Sequence, residues 1–167
     1  MKAYKVTVKD SKSIKIKETK KCDTRAIEAG VIPSKEEVKQ ETIDHINAVC
    51  DCGKFLRDLM REQFMQHDHT KLDAFDDFYA ALMTGRKDDS FKECRWWKLH
   101  ETERHHLKDR VPEDVNLIDV LEMCCDCVSA GMARTGNVYV SELDPEILQK
   151  AFKNTMKLLQ DNMEVVK

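Results

Sequence analysis

Apolar residues recur in two rhythms along this chain. Near the N-terminus they alternate with polar ones: residues 3–8 read Ala-Tyr-Lys-Val-Thr-Val and residues 13–17 read Ser-Ile-Lys-Ile-Lys, with Asp10-Ser11-Lys12 between. That is the pattern of a small β-hairpin, which needs a helical body to lean on because two strands alone are marginal. A connector over 19–33 ends at Pro33. The rhythm then becomes helical. Ser34-x-x-Glu37 is a capping box, and Val38, Thr42, His45, Val49, Leu56 and Met60 follow at helical steps on one face. A second helix is expected over 73–84, stopped by Gly85. A third opens at Ser90-x-x-Glu93 and carries Trp96, Trp97 and His100. Residues 116–134 form a fourth, with Leu117, Leu121, Cys125, Val128 and Met132 as its stripe. Asp144-Pro145 starts a last amphipathic helix on Leu148, Phe152, Met156 and Leu159. The reading is an all-α protein: a hairpin and connector over 1–33, then a helical bundle over 34–167.

Composition agrees. With 35% charged and 41% apolar residues in 167, and only five Gly and three Pro, the chain suits one soluble, helix-rich domain. The net charge is -3 and the lysines are interspersed with acids, which argues against duplex nucleic acid as a partner. No stretch approaches the ~18 apolar residues of a membrane span, and the N-terminal lysines precede no apolar signal segment. The seven cysteines include Cys50-x-Cys52 and Cys124-Cys125-x-Cys127, without the paired C-x-x-C spacing of a structural zinc site. They read as reduced core thiols of a cytoplasmic protein.

One local feature changes this picture. His67-Asp68 places an imidazole and a carboxylate at one point of the backbone, a mixed N/O set that suits Mn²⁺, Fe²⁺, Co²⁺ or Mg²⁺. Lys71 follows Asp68 by three residues, one helical turn, where it can neutralise a phosphoryl group. His45 lies upstream on the apolar stripe, with Glu41 four residues before it. His100, His105 and His106 lie downstream with Arg104 among them, and Asp126 further on with Asp119 and Glu122 nearby. On one straight helix His45 and His67 would lie ~33 Å apart. A shared site therefore requires a break, for which Gly53 is the weak point.

The order His, His-Asp-x-x-Lys, His, His-His, Asp over residues 35–134 resembles the HD-domain superfamily of metal-dependent phosphohydrolases. The resemblance implies that 34–66 is two packed helices. It implies that His45, His67, Asp68 and Asp126 hold one divalent ion, with Asp68 able to bridge to a second near His100, His105 and His106. Glu41 and Glu122 are further candidate ligands, and either Asp119 or Glu122 could replace Asp126. Lys71 would meet a phosphate oxygen, with Arg104 as a further phosphate contact. The additional histidines resemble those of HD phosphodiesterases and HD-GYP proteins, but the Gly-Tyr-Pro tail of the latter is missing, so cyclic di-GMP specificity does not carry over.

The implied activity is hydrolysis of a small phosphoester, a nucleotide first, with one or two divalent ions, Mn²⁺ or Co²⁺ favoured. Trp96, Trp97 and Tyr79 are candidates for stacking a base. Two alternatives stay open. HD-type di-iron oxygenases use a similar ligand set, and a metal-stabilised helical binding protein would need no catalysis. A homo-oligomer is compatible with all three.

Overall fold

The computed structural model describes residues 14–18, 30, 32–84 and 89–166, the side chains of 89 and 90 excepted. The elements run β1 (Ile14–Lys17), α1 (Lys35–Phe64), α2 (His69–Asp73), α3 (Phe75–Thr84), a 3₁₀ turn (Asp89–Glu93), α4 (Arg95–His100), α5 (Leu117–Thr135), α6 (Pro145–Asp161) and β2 (Met163–Val166). Among the described residues the fold is all-α with one short strand pair. Among the described residues no helix is long and apolar enough to cross a membrane.

The strand expected around residue 14 forms, and its partner is distant in sequence. β1 pairs in parallel with β2, Ile14 opposite Met163 and Lys17 opposite Val166. Residues 3–8, the expected other arm of a hairpin, lie outside the described residues.

The Ser34 capping box forms as read: Glu37 N–H donates to Ser34 Oγ at 3.2 Å, and Ser34 N–H to Glu37 Oε2 at 2.8 Å. The expected break near Gly53 does not. α1 is one continuous helix of 30 residues. A single glycine lowers helix propensity by only about 1 kcal/mol, too little by itself to end a helix of this length. The helix expected to open at Ser90 starts later. A 3₁₀ turn occupies Asp89–Glu93, and α4 starts after Cys94 without a side-chain cap.

The chain divides into two compact units, with boundaries inside α1 and α6. One holds residues up to Asp58 with Met156–Lys167, and the other is Leu59–Thr155. In the first, Ile14 is buried and Lys17 Nζ reaches Asp44 at 3.2 Å. The second holds two apolar clusters. Ala74, Ala81 and Trp96 pack with Phe78, Phe91, Trp97 and Leu99. Leu107, Val115 and Ala151 pack with Leu117, Val120, Leu143 and Ile147.

The helical stripes read from the sequence are not the buried faces. On α5 the face carrying Leu121, Val128 and Met132 is exposed, and Ile118, Asp119, Glu122 and Gly131 are buried. On α6, Leu148, Phe152 and Met156 are exposed while Ala151 and Thr155 are buried. Asp119 and Glu122 carry polar partners that must be shielded together, and this sets the rotation of α5. Its start is fixed by the Asn116 capping box and by Leu117 N–H donating to Thr155 Oγ1 at 2.9 Å. Near its end residues 137–139 cross so closely that a Cβ on Gly131 would lie 2.5 Å from both Asn137 O and Tyr139 N. Of the cysteines expected to be core thiols, Cys50, Cys124 and Cys125 are exposed, Cys52 and Cys127 are half-buried, and Cys94 packs against the Trp96 cluster.

Candidate metal centre

The candidate residues gather within the unit Leu59–Thr155. α1 ends at Phe64, and the chain turns through 65–68 with His67 N–H on Phe64 O and His69 N–H on Gln66 O. Asp68 closes this turn at φ 61°, among the described residues the only non-glycine with positive φ. Such a left-handed residue costs free energy and persists where its surroundings hold it. They do so through Glu103: Oε2 accepts Asp68 N–H at 2.8 Å and Oε1 accepts Thr70 N–H at 3.0 Å, and the Thr70 hydroxyl donates to Oε1 as well.

α4 delivers His100 at its last residue, and tight turns after it present Glu103, His105 and His106. The imidazoles form a chain. Ring centroids lie 4.3 Å apart from His67 to His105, 4.4 Å from His105 to His106, and 4.3 Å from His106 to His100. His106 Nε2 is 2.9 Å from His100 Nε2. Asp68 lies between the two ends of the chain, with Oδ2 3.7 Å from His67 Nε2 and Oδ1 3.6 Å from His100 Nε2. Two groups of side chains could each hold an ion, their ligand atoms within 4.8 Å of one another: His67, Asp68, Glu103 and His105, and His100, His105 and His106.

α5 supplies the remaining acids. Glu122 Oε1 is 2.9 Å from His67 Nδ1 and 3.3 Å from His105 Nδ1, and Oε2 accepts from Gln63 at 2.7 Å. Asp126 Oδ1 is 3.5 Å from His67 Nε2. Burial opposes ionisation of Glu122, but His105, His67 and Gln63 facing it bring its carboxyl down to about 2. Glu103 is likewise buried, and His100, Thr70 and the backbone N–H groups bring it to about 2. Asp126 is lowered by His67, and His67 in turn is pushed up to about 10 by Asp126 and Glu122. His106 is lowered by burial and by the neighbouring His100 and His105.

Three buried polar side-chain atoms have no hydrogen-bond partner among the described residues, and two of them are in this cluster: Asp68 Oδ1 and His105 Nδ1. The third is Trp96 Nε1. An unpaired buried donor or acceptor costs about 1–3 kcal/mol. His105 Nδ1 still faces the Glu122 carboxylate at 3.3 Å, so the mixed imidazole and carboxylate set, with the Asp68 Oδ1 acceptor unsatisfied, is what fits a divalent cation.

Not every expected residue joins. His45 is exposed on the continuous α1, in the other unit, and belongs to neither group. Glu41, one turn before it, is likewise outside both groups. Arg104 is held elsewhere: Nε and Nη2 grip the fully buried Asp119 at 2.7 and 2.8 Å, and Nη1 reaches Asp114 at 3.1 Å. Asp119 also accepts Gln63 and Asn116 N–H, so it is a structural acid. Lys71 does face the cluster, with Nζ 2.5 Å from Asp68 Oδ2. Glu103 and Gln63 had not been expected. The signal for Glu103 was its place three residues after His100 in a His-rich run, but turns rather than a helix bring it in.

Beside the cluster is a cavity of about 680 Å³, bordered by His100, His106, Asp126 and Lys71 on the polar side and by an aromatic wall.

The chain belongs to DUF5662, a family of unknown function, whose model matches residues 34–167. No curated protein and no solved structure matches it.

Proposed function

We propose that the protein is a metal-dependent phosphohydrolase acting on a small phosphoester, a nucleotide being the favoured substrate. The observation that carries this reading is the chain of four imidazoles whose members His67 and His100 both face Asp68, with Asp68 Oδ1 buried and without a hydrogen bond. His67, Asp68, His105 and Asp126 would hold one divalent ion. His100 and His106, with the second oxygen of Asp68, would hold another. When bound, such ions supply Lewis acidity that polarises a phosphoryl oxygen and lowers the pKa of water.

The chain's own residues do the rest. Glu122 fixes the His67 ring by its Nδ1, turning Nε2 toward Asp68 and Asp126, as carboxylate partners of metal-binding histidines do. This favours Asp126 over Glu122 and Asp119 as the last ligand. Glu103 binds backbone N–H groups with both oxygens, so it positions Asp68 rather than holding an ion. Lys71 lines the cavity and can place its charge against a phosphoryl oxygen. Exposed free thiols fit a reducing, cytoplasmic setting.

The test is elemental analysis of the purified protein with a panel of nucleoside mono-, tri- and cyclic phosphates, each assayed with Mn²⁺, Co²⁺, Fe²⁺ and Mg²⁺. One or two ions per chain and turnover of a phosphoester are expected. Iron with no turnover across the panel would move the reading to an HD-type oxygenase, and a protein that takes up no metal would leave a helical binding protein.

A further inference from the structure

The cavity beside the metal centre has a second end that the hydrolysis reading leaves unused. Its wall is largely apolar, with Phe78, Leu82, Phe91 and Trp97, and a volume of about 680 Å³ lies in the range of small-molecule sites. Two cations line it, Lys71 and Arg134. Lys71 is at the cluster, paired to Asp68. Arg134 is different. It stands in the last turn of α5, is exposed, and makes no hydrogen bond or ion pair among the described residues. Asp126 lines the same cavity from the same helix, eight residues earlier, or ~12 Å along the axis at 1.5 Å per residue. Residues 137–139, crossing α5 at Gly131, fix the backbone one turn before Arg134.

We propose that this cavity takes a ligand with two anionic groups separated by a flat apolar body, and that Arg134 is the residue that selects the second anion. The inference rests on the reading that the first group is a phosphate held at the metal centre beside Lys71. The backbone of Arg134 stands ~12 Å further along α5 than that of Asp126, at the other side of the lining. The aromatic and aliphatic wall between them matches a ring system rather than an open polyol, which would leave its hydroxyls unpaired there. A planar guanidinium free of an internal partner suits a carboxylate or a second phosphate, which it can meet with two parallel N–H donors.

The test uses non-hydrolysable probes, so binding is read apart from turnover. Calorimetry on the metal-loaded protein would compare methylphosphonate, 2-naphthylphosphonate and 6-carboxy-2-naphthylphosphonate. The expected order is methylphosphonate weakest, the naphthyl compound at least tenfold tighter, and the carboxylated one tighter again by about tenfold. Arg134→Gln should remove only the last gain, and Arg134→Lys should restore part of it. Because Arg134 is exposed, neither variant threatens the fold. Equal affinity of the two naphthyl compounds would overturn the role of Arg134, and equal affinity of methyl- and naphthylphosphonate would overturn the cavity as the ligand site. Phosphoester turnover is scored separately. If the naphthyl probes bind as expected and no phosphate ester is cleaved, the cavity assignment stands and the hydrolase reading falls.

Discussion

The Nε2 atoms of His100 and His106 lie 2.9 Å apart. Two donors on one ion at right angles, each about 2.1 Å from it, would be separated by about 3.0 Å. Burial, together with His100 and His105, lowers the pKa of His106. That favours a neutral ring with a lone pair to offer. The spacing is that of a hydrogen bond between the two rings, and it also suits adjacent ligands of the proposed second cation. His106→Ala should remove one ion per chain and leave the ion at His67 and Asp68 in place. Elemental analysis of the variant checks this, and unchanged metal content would remove His106 from the site.

Asp68 is placed to serve both ends of the histidine chain, 3.7 Å from His67 and 3.6 Å from His100, while Lys71 holds its Oδ2. The two residues should therefore separate by assay. Asp68→Ala should abolish metal content. Lys71→Ala should keep the metal and lower kcat by about a hundredfold or more, in line with the loss of one preorganised charge at the transition state. If Lys71→Ala raised KM alone, the lysine would be a binding contact and nothing more.

Arg104 offers a contrast, because the sequence placed it among the phosphate contacts. Its bidentate grip on the fully buried Asp119 makes it a structural cation. Arg104→Ala would strand a buried carboxylate, for which a loss of about 3–5 kcal/mol is expected. A thermal melt should show the lowered Tm, and KM should not move. A normal Tm with a raised KM would return Arg104 to the substrate.

How much of this was legible in the sequence differs by element. Helices with explicit punctuation came out where expected: the Ser34 box opens α1, α5 starts after Asn116 close to its expected bounds, and Asp144-Pro145 opens α6. The cluster itself was legible in part, because His67-Asp68, His100, His105, His106 and Asp126 are unusual residues in an unusual order. Three things were not. The glycine signal at Gly53 was too weak, at about 1 kcal/mol, to end a 30-residue helix. The apolar stripe of α5 did not reveal which face is buried, since that was decided by the buried acids Asp119 and Glu122. Glu103 was hidden because it enters through turns, where residue spacing carries no directional information.

Glu103 is the most consequential of these. Its two oxygens accept the backbone N–H groups of Asp68 and Thr70, and so hold the left-handed turn that aims Asp68. Glu103→Gln replaces one acceptor with an NH₂ group facing an N–H donor. Metal affinity should fall by about 10–100-fold, the range for residues that orient a ligand. Circular dichroism should stay close to that of the parent. An unchanged affinity in titrations with Mn²⁺ would show that the turn holds Asp68 without it.

Titration of His67 links the cluster to pH. In the metal-free protein Asp126 and Glu122 raise it from 6.5 to about 10. A raised folded pKa stabilises fully below 6.5, and the contribution is lost as pH rises toward 10. The carboxyls of Glu103 and Glu122, lowered from 4.5 to about 2, act in the opposite sense: their contribution is present above 4.5 and lost as pH falls toward 2. Chelator-treated protein should therefore melt highest between about 4.5 and 6.5, and lower on both sides. An ion at His67 must displace that proton, so between about 6.5 and 10 metal binding should release one proton and tighten by about tenfold per pH unit. Calorimetry in buffers of differing ionisation enthalpy counts the proton directly. Binding at pH 8 with no proton released would exclude His67 as a ligand.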